Sequence, residues 1–173
     1  GTEKIEEELH TLIPAAKILR MDFDTTSKKG SHAKMIEEFK EHKYDILLGT
    51  QIVAKGLDFE SVTLVGVVNA DTSLNIPNFR SSEQTFSLLS QVAGRSGRSS
   101  KTGEVIIQTY NPTHYAIECV KHHDYLDFFN KEMNIRRRLN YPPYYYVTYI
   151  RVSGKDDKIC YKESLKIARI LQK

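Results

Sequence analysis

The chain has 173 residues, 40% hydrophobic and 27% charged, with ten Tyr and seven Phe: enough apolar material for a core, and too little Pro and Gly for a disordered chain. A net charge of +3 and a sequence pI of about 8.7 permit a polyanionic partner without demanding one. No apolar run approaches the roughly 20 residues that span a bilayer, no signal-peptide pattern opens the chain, and two isolated cysteines, Cys119 and Cys160, fit a reducing, cytoplasmic setting and argue against a cysteine-based zinc site.

Thr2 reads as the N-cap of a short helix with Ile5, Leu9, Leu12 and Ile13 on one face, stopped at Pro14. Residues 17–21 read as a strand, and residues 22–30 as a polar loop holding Asp22, Asp24, Thr25, Thr26, Lys28 and Lys29. Ser31 then caps a helix with Met35, Ile36 and Phe39 on its apolar face. Residues 45–50 and 62–68 are near-continuous apolar runs, as expected of parallel strands covered on both faces. A helical stretch, 82–90, and another strand, 104–110, follow. Strands alternating with helices predict a doubly wound α/β layer with right-handed crossovers, helices on both faces of a mostly parallel sheet. Ligands in such layers gather at the carboxyl ends of the strands, where Thr50 and the loop after Asn69 fall.

The character changes after Asn111-Pro112. Two helical stretches follow, 113–121 and 125–139, the second ending in Arg136-Arg137-Arg138, which suits a helix C-terminus. Asn140-Tyr141-Pro142-Pro143 is a clear break. Residues 144–152 read as a strand and 156–172 as an amphipathic helix. The expected organisation is an α/β lobe over 1–111, a helical connector over 112–140, and the truncated start of a second α/β domain over 141–173. One strand and one helix bury little. Leu165, Ile167, Ala168, Ile170 and Leu171 on the helix, with Val147, Tyr149 and Val152 on the strand, therefore need cover from the lobe or from a second copy.

Two segments carry chemistry. Gln91-Val92-Ala93-Gly94-Arg95-Ser96-Gly97-Arg98 sets two guanidinium groups among small residues. Such forks match phosphate oxygens, and small residues allow a close backbone approach. Upstream, a strand ending in Gly49-Thr50 runs into Gln51 and then Gly56-Leu57-Asp58. A hydroxyl and exposed N–H groups can hold a phosphate, and a carboxylate accepts hydrogen bonds from sugar hydroxyls. The first segment resembles motif VI of superfamily 2 helicases, and the second resembles their motif V, in the expected order and interval.

Three further elements resemble the bacterial primosomal replication-restart helicase family: residues 20–26 (Arg20-Met21-Asp22-Phe23-Asp24-Thr25-Thr26), Asn69-Ala70-Asp71 with Phe79-Arg80-Ser81-Ser82-Glu83, and Arg136-Arg137 before Tyr141-Pro142-Pro143-Tyr144. The resemblance covers nearly the whole chain. It implies a RecA-like second helicase lobe and the start of a C-terminal domain, within an ATP-dependent 3′-5′ DNA helicase that restarts stalled forks and assembles the primosome. It implies that Arg95 and Arg98 close on the γ-phosphate of ATP, with Gln91 placing the phosphates or the attacking water. Gly56, Asp58 and Gly94 would meet the nucleotide, and Thr50, Gln51, Thr25, Thr26, Lys28 and Lys29 the DNA backbone. The chain has no G-x-x-x-x-G-K-[ST] phosphate loop. ATP with Mg is therefore expected mainly on a first lobe outside this sequence, as is the zinc of the family's cysteine-rich module. Forked and single-stranded DNA, primosome proteins and single-strand-binding proteins are the implied partners, with no membrane.

Two other functions compete. Another superfamily 2 RNA or DNA helicase or translocase would lack the Phe79-Arg80-Ser81-Ser82-Glu83 element, and a non-catalytic docking module would have no need of the arginine pair. Several features read more simply. His122-His123-Asp124 is adjacent rather than three or four apart, so no metal is assigned. Tyr141, Tyr144, Tyr145, Tyr146 and Tyr149 suit a strand with a buried tyrosine face, base stacking being the alternative. Asp22 and Asp24 suit turn formation rather than a catalytic pair, and Arg136–Arg138 a solvated helix end rather than a specific DNA grip.

Overall fold

The computed structural model describes residues 1–22, 31–50, 59, 61–94 and 103–172. They fall into two compact units, Gly1–Met133 and Asn134–Lys173. In the first unit, α1 (Thr2–Leu12) leads into β1 (Ile18–Met21), α2 (Ser31–Lys40) and β2 (Ile46–Gly49). β1 and β2 pair in parallel, Ile18 opposite Ile46 and Met21 opposite Gly49. A parallel pair needs a crossover, which α2 supplies. Its Phe39 joins Leu19 and Met21 in a buried cluster flanked by Met35, Ile36, Tyr44, Leu47, Phe59 and Val62. The Phe39 and Phe59 rings meet edge to face at 4.9 Å.

Next come β3 (Leu64–Val67), α3 (Asp71–Leu74), α4 (Ser81–Ala93), β4 (Glu104–Ile107), α5 (Tyr115–Lys121) and α6 (Tyr125–Arg138). β3 and β4 are parallel, Leu64 opposite Glu104 and Val67 opposite Ile107. A second core gathers here from Ala70, Phe86, Leu89, Ala116, Ile117, Cys119, Val120 and Phe128. The Phe86 and Phe128 rings lie parallel at 4.0 Å. Glu132 is buried at its edge and accepts a hydrogen bond from the Tyr115 hydroxyl. The helical stretch expected to be a connector thus supplies α5 and the start of α6 to the core of the first unit.

The parallel α/β character is as expected, with two differences. The described strands form two separate pairs rather than one sheet. One face of the β3–β4 pair is also open, with Leu64 and Ile106 exposed, because α4 and α5 cover the side bearing Val67 and Ile107. Thr2 is the first helical residue and makes no cap, since its hydroxyl instead donates to the Asp22 carboxylate at 3.0 Å. α2 starts on Ser31 itself. Among the described residues, three helix ends close through a residue other than glycine in the left-handed region: His42, His123 and Asn140, with φ of 58°, 52° and 57°. In each case the next residue's N–H reaches back to the last turn, Lys43 to Glu38, Asp124 to Cys119 and Tyr141 to Arg136. His123 is therefore a helix stop, and no cluster among the described residues could hold a metal ion.

In the second unit the segment expected as a strand, 144–152, has no ladder partner among the described residues. Its tyrosines have no buried face: Tyr144, Tyr145, Tyr146 and Tyr149 are all exposed. α7 (Asp157–Leu171) is capped by the Asp156 carboxylate, which accepts from the N–H groups of Lys158 (2.8 Å) and Ile159 (3.2 Å), and none of its residues is buried. Arg136 is not solvated as expected but buried, its guanidinium donating to the Pro142 carbonyl at 3.4 Å. Arg137 lies over the Tyr144 ring at 4.7 Å. No described helix is long and apolar enough to cross a membrane.

Two predictions follow from groups in the second core. Cys119 and Cys160 are both free thiols, not a disulfide. Burial, then the hydrogen bond to Asp127 (3.3 Å), pushes the Cys119 thiol up to about 11. At mildly alkaline pH a thiol reagent should therefore modify Cys160 alone in the native chain and both cysteines after unfolding. Rapid native modification of Cys119 would contradict this burial.

Burial also holds the His114 imidazole below its ordinary 6.5, against the pull of Glu132 and Asp71. Its Nδ1 caps α5 by accepting from the Ala116 N–H at 3.2 Å, which needs the neutral ring. The unfolded chain takes up this proton first, so His114 contributes stability that is full above 6.5 and lost as pH falls through it toward the lower folded value. Thermal unfolding over this range should show a shallower pH slope in His114→Asn, which keeps a capping side chain. Equal slopes would exclude His114 as the source.

Candidate nucleotide and nucleic-acid interface

The β1–β2 pair sets one edge of the candidate site. Thr50 is exposed just past the carboxyl end of β2, as the sequence reading places it. Beside it, Met21 is the register partner of Gly49 and leads into Asp22. The Asp22 carboxylate accepts from Arg20 Nε at 3.0 Å, and Arg20 also pairs with Glu6 at 3.0 Å on α1. These partly buried ion pairs tie the end of β1 and Asp22 to α1, giving Asp22 an anchoring role. The outer pair with Glu3, at 3.5 Å to an exposed carboxylate, adds little.

The β3–β4 pair sets another edge. Backbone bonds continue past the strands, Gln108 N to Val67 O at 2.8 Å and Ala70 N to Gln108 O at 3.1 Å. Asp71 then buries its carboxylate at the start of α3. One oxygen accepts from the Thr109 hydroxyl and the other from the Tyr110 N–H, each at 2.9 Å. Beyond α3, the Ser81 hydroxyl is placed by the carbonyls of Ile76 (2.5 Å) and Asn78 (2.8 Å), and the Asn78 side chain accepts from the Arg80 N–H at 2.9 Å. These bonds set the entry of α4 without a side-chain N-cap. Arg80 sits over the Phe79 ring at 5.4 Å.

α4 delivers the third part. Leu89 and Val92 are buried and fix its rotation, leaving Gln91 exposed. The Gln91 amide donates to Ser87 Oγ at 3.3 Å. Gly94 ends the helix at an ordinary φ of −75°, and a Cβ there would sit 3.4 Å from the Ser90 carbonyl. Backbone strain does not require this glycine, so its use would be the absence of a side chain beside a ligand.

Of the predicted site residues, Thr50, Gln91 and Gly94 are described. Gln51, Gly56, Asp58, Arg95, Arg98, Thr25, Thr26, Lys28 and Lys29 lie outside the described residues, as does Asp24. No described hydrogen bond links Thr50 with Gln91 or Gly94. Sequence reasoning missed the Asp71 clamp. Its signal was an acidic residue four positions past a strand, within the Asn69-Ala70-Asp71 element of the family resemblance. Asp71→Ala would leave the Thr109 hydroxyl and Tyr110 N–H without their acceptor and should destabilise the chain by about 1–3 kcal/mol. Denaturant unfolding would measure it, and a change below a few tenths would show the clamp to be dispensable.

A parallel α/β scaffold, with a threonine beyond one strand and a helix running into Gln91 and Gly94, has the outline of a helicase C-terminal lobe. Residues 2–100 match the family described as Helicase conserved C-terminal domain, and the chain belongs to it. It is similar to Replication restart protein PriA of Bacillus subtilis, 55% identical over 172 residues, covering 99% of this chain and 21% of that protein. The protein of the same name from Chlamydia pneumoniae is 42% identical over 172 residues, 99% of this chain and 23% of the relative. That of Synechocystis is 44% identical over 158 residues, 91% and 19% respectively. The chain thus spans about a fifth of the length of these relatives, and the similarity runs beyond the helicase domain into the second unit, as the sequence resemblance implied.

Proposed function

We propose that this chain is the second motor lobe, with the start of a C-terminal domain, of an ATP-dependent DNA helicase acting in replication restart. The observation that carries this reading is the ordered set Thr50, Gly56-x-Asp58 and Gln91-x-x-Gly94-Arg95-x-x-Arg98 on a parallel α/β scaffold. Family membership and the similarity to PriA support it. The finer fold is a RecA-like lobe, its organisation a lobe over 1–111, a connector over 112–140 and a further domain from 141, and its setting the cytoplasm.

ATP and its Mg ion would be held mainly by a first lobe, since this sequence has no phosphate loop. Zinc would belong to a separate cysteine-rich module, and the described residues of this chain offer it no ligand set. When the lobes close, Arg95 and Arg98 meet the γ-phosphate, Gln91 orients the phosphates or the attacking water, and Asp58 holds the ribose beside Gly56 and Gly94. An arginine that reaches the phosphate only on closure couples hydrolysis to domain motion. Thr50, Gln51, Thr25, Thr26, Lys28 and Lys29 grip the DNA backbone, largely without sequence preference. Charge distribution supports a nucleic-acid partner. Residues 134–173 hold ten Lys and Arg against three Asp and Glu, leaving fifteen basic and nineteen acidic residues in 1–133. Forked and single-stranded DNA, primosome components and single-strand-binding proteins are the proposed partners. Self-association through the exposed apolar side chains of α7 and residues 144–152 is a further proposed property.

In the longer protein, Arg95→Ala or Arg98→Ala should cut DNA-stimulated ATP turnover by about 10³-fold or more while sparing most DNA affinity. Phosphate release and fluorescence anisotropy on single-stranded DNA would measure the two effects. Near-normal turnover in both variants would overturn the arginine assignment. The 173-residue chain by itself should bind DNA in a salt-dependent way and hydrolyse no ATP.

A further inference from the structure

We propose that the cleft at the carboxyl ends of β3 and β4 is a nucleobase site, with the Tyr110 ring as its stacking plate and the Asn69 and Gln108 amides reading the edge of the base. Val68, Asn69, Asp71, Gln108, Thr109 and Tyr110 line a cavity of about 110 Å³. Liquid water occupies about 30 Å³ per molecule, so the space is that of three or four waters, enough to admit the edge of one flat heterocycle. It lies where α/β layers bind their ligands, beyond the ends of paired parallel strands.

The charges in the cleft select the ligand. Among the described residues no Lys or Arg lines it, and the one charged group they bring is the Asp71 carboxylate. From these residues a phosphate would meet a negative floor with no compensating cation. A metal ion would find, among the described lining residues, a single carboxylate with both oxygens already accepting hydrogen bonds, and no His, Cys or second acid. A neutral ring with donors and acceptors on its edge meets neither objection.

The walls supply what such a ring needs. Tyr110 is 93% exposed and stacks on no other ring among the described residues, so its ring face is open to a flat ligand. Asn69 Oδ1 accepts from the Thr72 N–H at 3.2 Å, which fixes the amide and leaves its NH₂ free to donate. The Gln108 amide is exposed and has no partner among the described residues, so it offers both a donor and an acceptor. The frame is also held in advance. Asp71 fixes the Tyr110 backbone, and the Thr109 hydroxyl, which donates to Asp71, accepts from the Asn111 N–H at 3.0 Å. A ligand would thus order only the Tyr110 and Gln108 side chains, which keeps the ordering part of the binding cost small.

A base could reach the cleft from a passing DNA strand or from a free nucleotide. The strand as source rests on the helicase reading above, and the base chemistry is common to both. The test uses the 173-residue chain with three probes: oligo(dT), an oligomer of equal length made of abasic sites, and adenosine monophosphate. Base–aromatic stacking predicts that Tyr110→Leu weakens oligo(dT) binding about tenfold, that Tyr110→Phe restores most of it, and that Gln108→Ala gives a smaller loss. The abasic oligomer, which keeps the phosphates, should bind more weakly to the wild-type chain and not respond to Tyr110→Leu. Light-induced crosslinking of an oligomer bearing 5-iododeoxyuridine should mark Tyr110. Saturable binding of adenosine monophosphate, lost in Tyr110→Leu, would support the site with the free nucleotide as its source. Circular dichroism of each variant separates a local loss from unfolding. If oligo(dT) and the abasic oligomer bound equally and Tyr110→Leu changed neither, the base site would be wrong while the DNA-binding reading stood. If no probe bound at all, both would fall.

Discussion

The Asp71 carboxylate is the point on which the carboxyl-end architecture of the β3–β4 pair depends. Parallel strands leave their connections at the same end, so the segments after β3 and β4 emerge side by side with backbone polar groups to satisfy. One buried side chain does much of this. It stands at the start of the short helix after β3 and takes both the hydroxyl and the N–H presented after β4. A buried carboxylate costs less when each oxygen has a donor, and these charge-assisted bonds are stronger than neutral ones. The connection from β3 through Ser81 into α4, and the exit of β4 toward α5, are then set relative to each other. Phe86 and Leu89 on α4, and Ile117 and Val120 on α5, pack into the core between them.

The same economy recurs at the other pair. Arg20 on β1 is held by Glu6 on α1 and by Asp22, two residues along, while the Thr2 hydroxyl also reaches Asp22. The segment that follows Asp22 therefore starts from a fixed point. In both places charged groups do structural work beneath surfaces assigned to ligands. This explains why a carboxylate near a candidate site need not be a catalytic one.

Charge separates along the chain more sharply than its total suggests. A net charge of +3 hides a basic stretch from 134 onward, rich in exposed tyrosine, following a slightly acidic first part. Arg137 over Tyr144 shows how the two residue types associate there: the guanidinium lies on the ring face. Surfaces of this composition suit polyanions carrying flat bases.

The sequence by itself determined most of the element types and their approximate places. It also gave the parallel α/β class, the break at Asn140, and the order of residues on which the proposed function rests. These are local matters: apolar period, β-branched runs, and capping or breaking residues report on a few neighbours at a time. Tertiary structure decided what depends on distant partners. It made Thr2 a partner of Asp22 rather than a cap, and buried Arg136 although the arginines that follow it are exposed. It left residues 144–152 without a strand partner, since an extended segment becomes a strand only when another lies beside it. It also joined Asp71 to Thr109 and Tyr110, nearly forty positions away. No local pattern encodes such a pairing, because it exists only once two parallel strands have brought their carboxyl ends together.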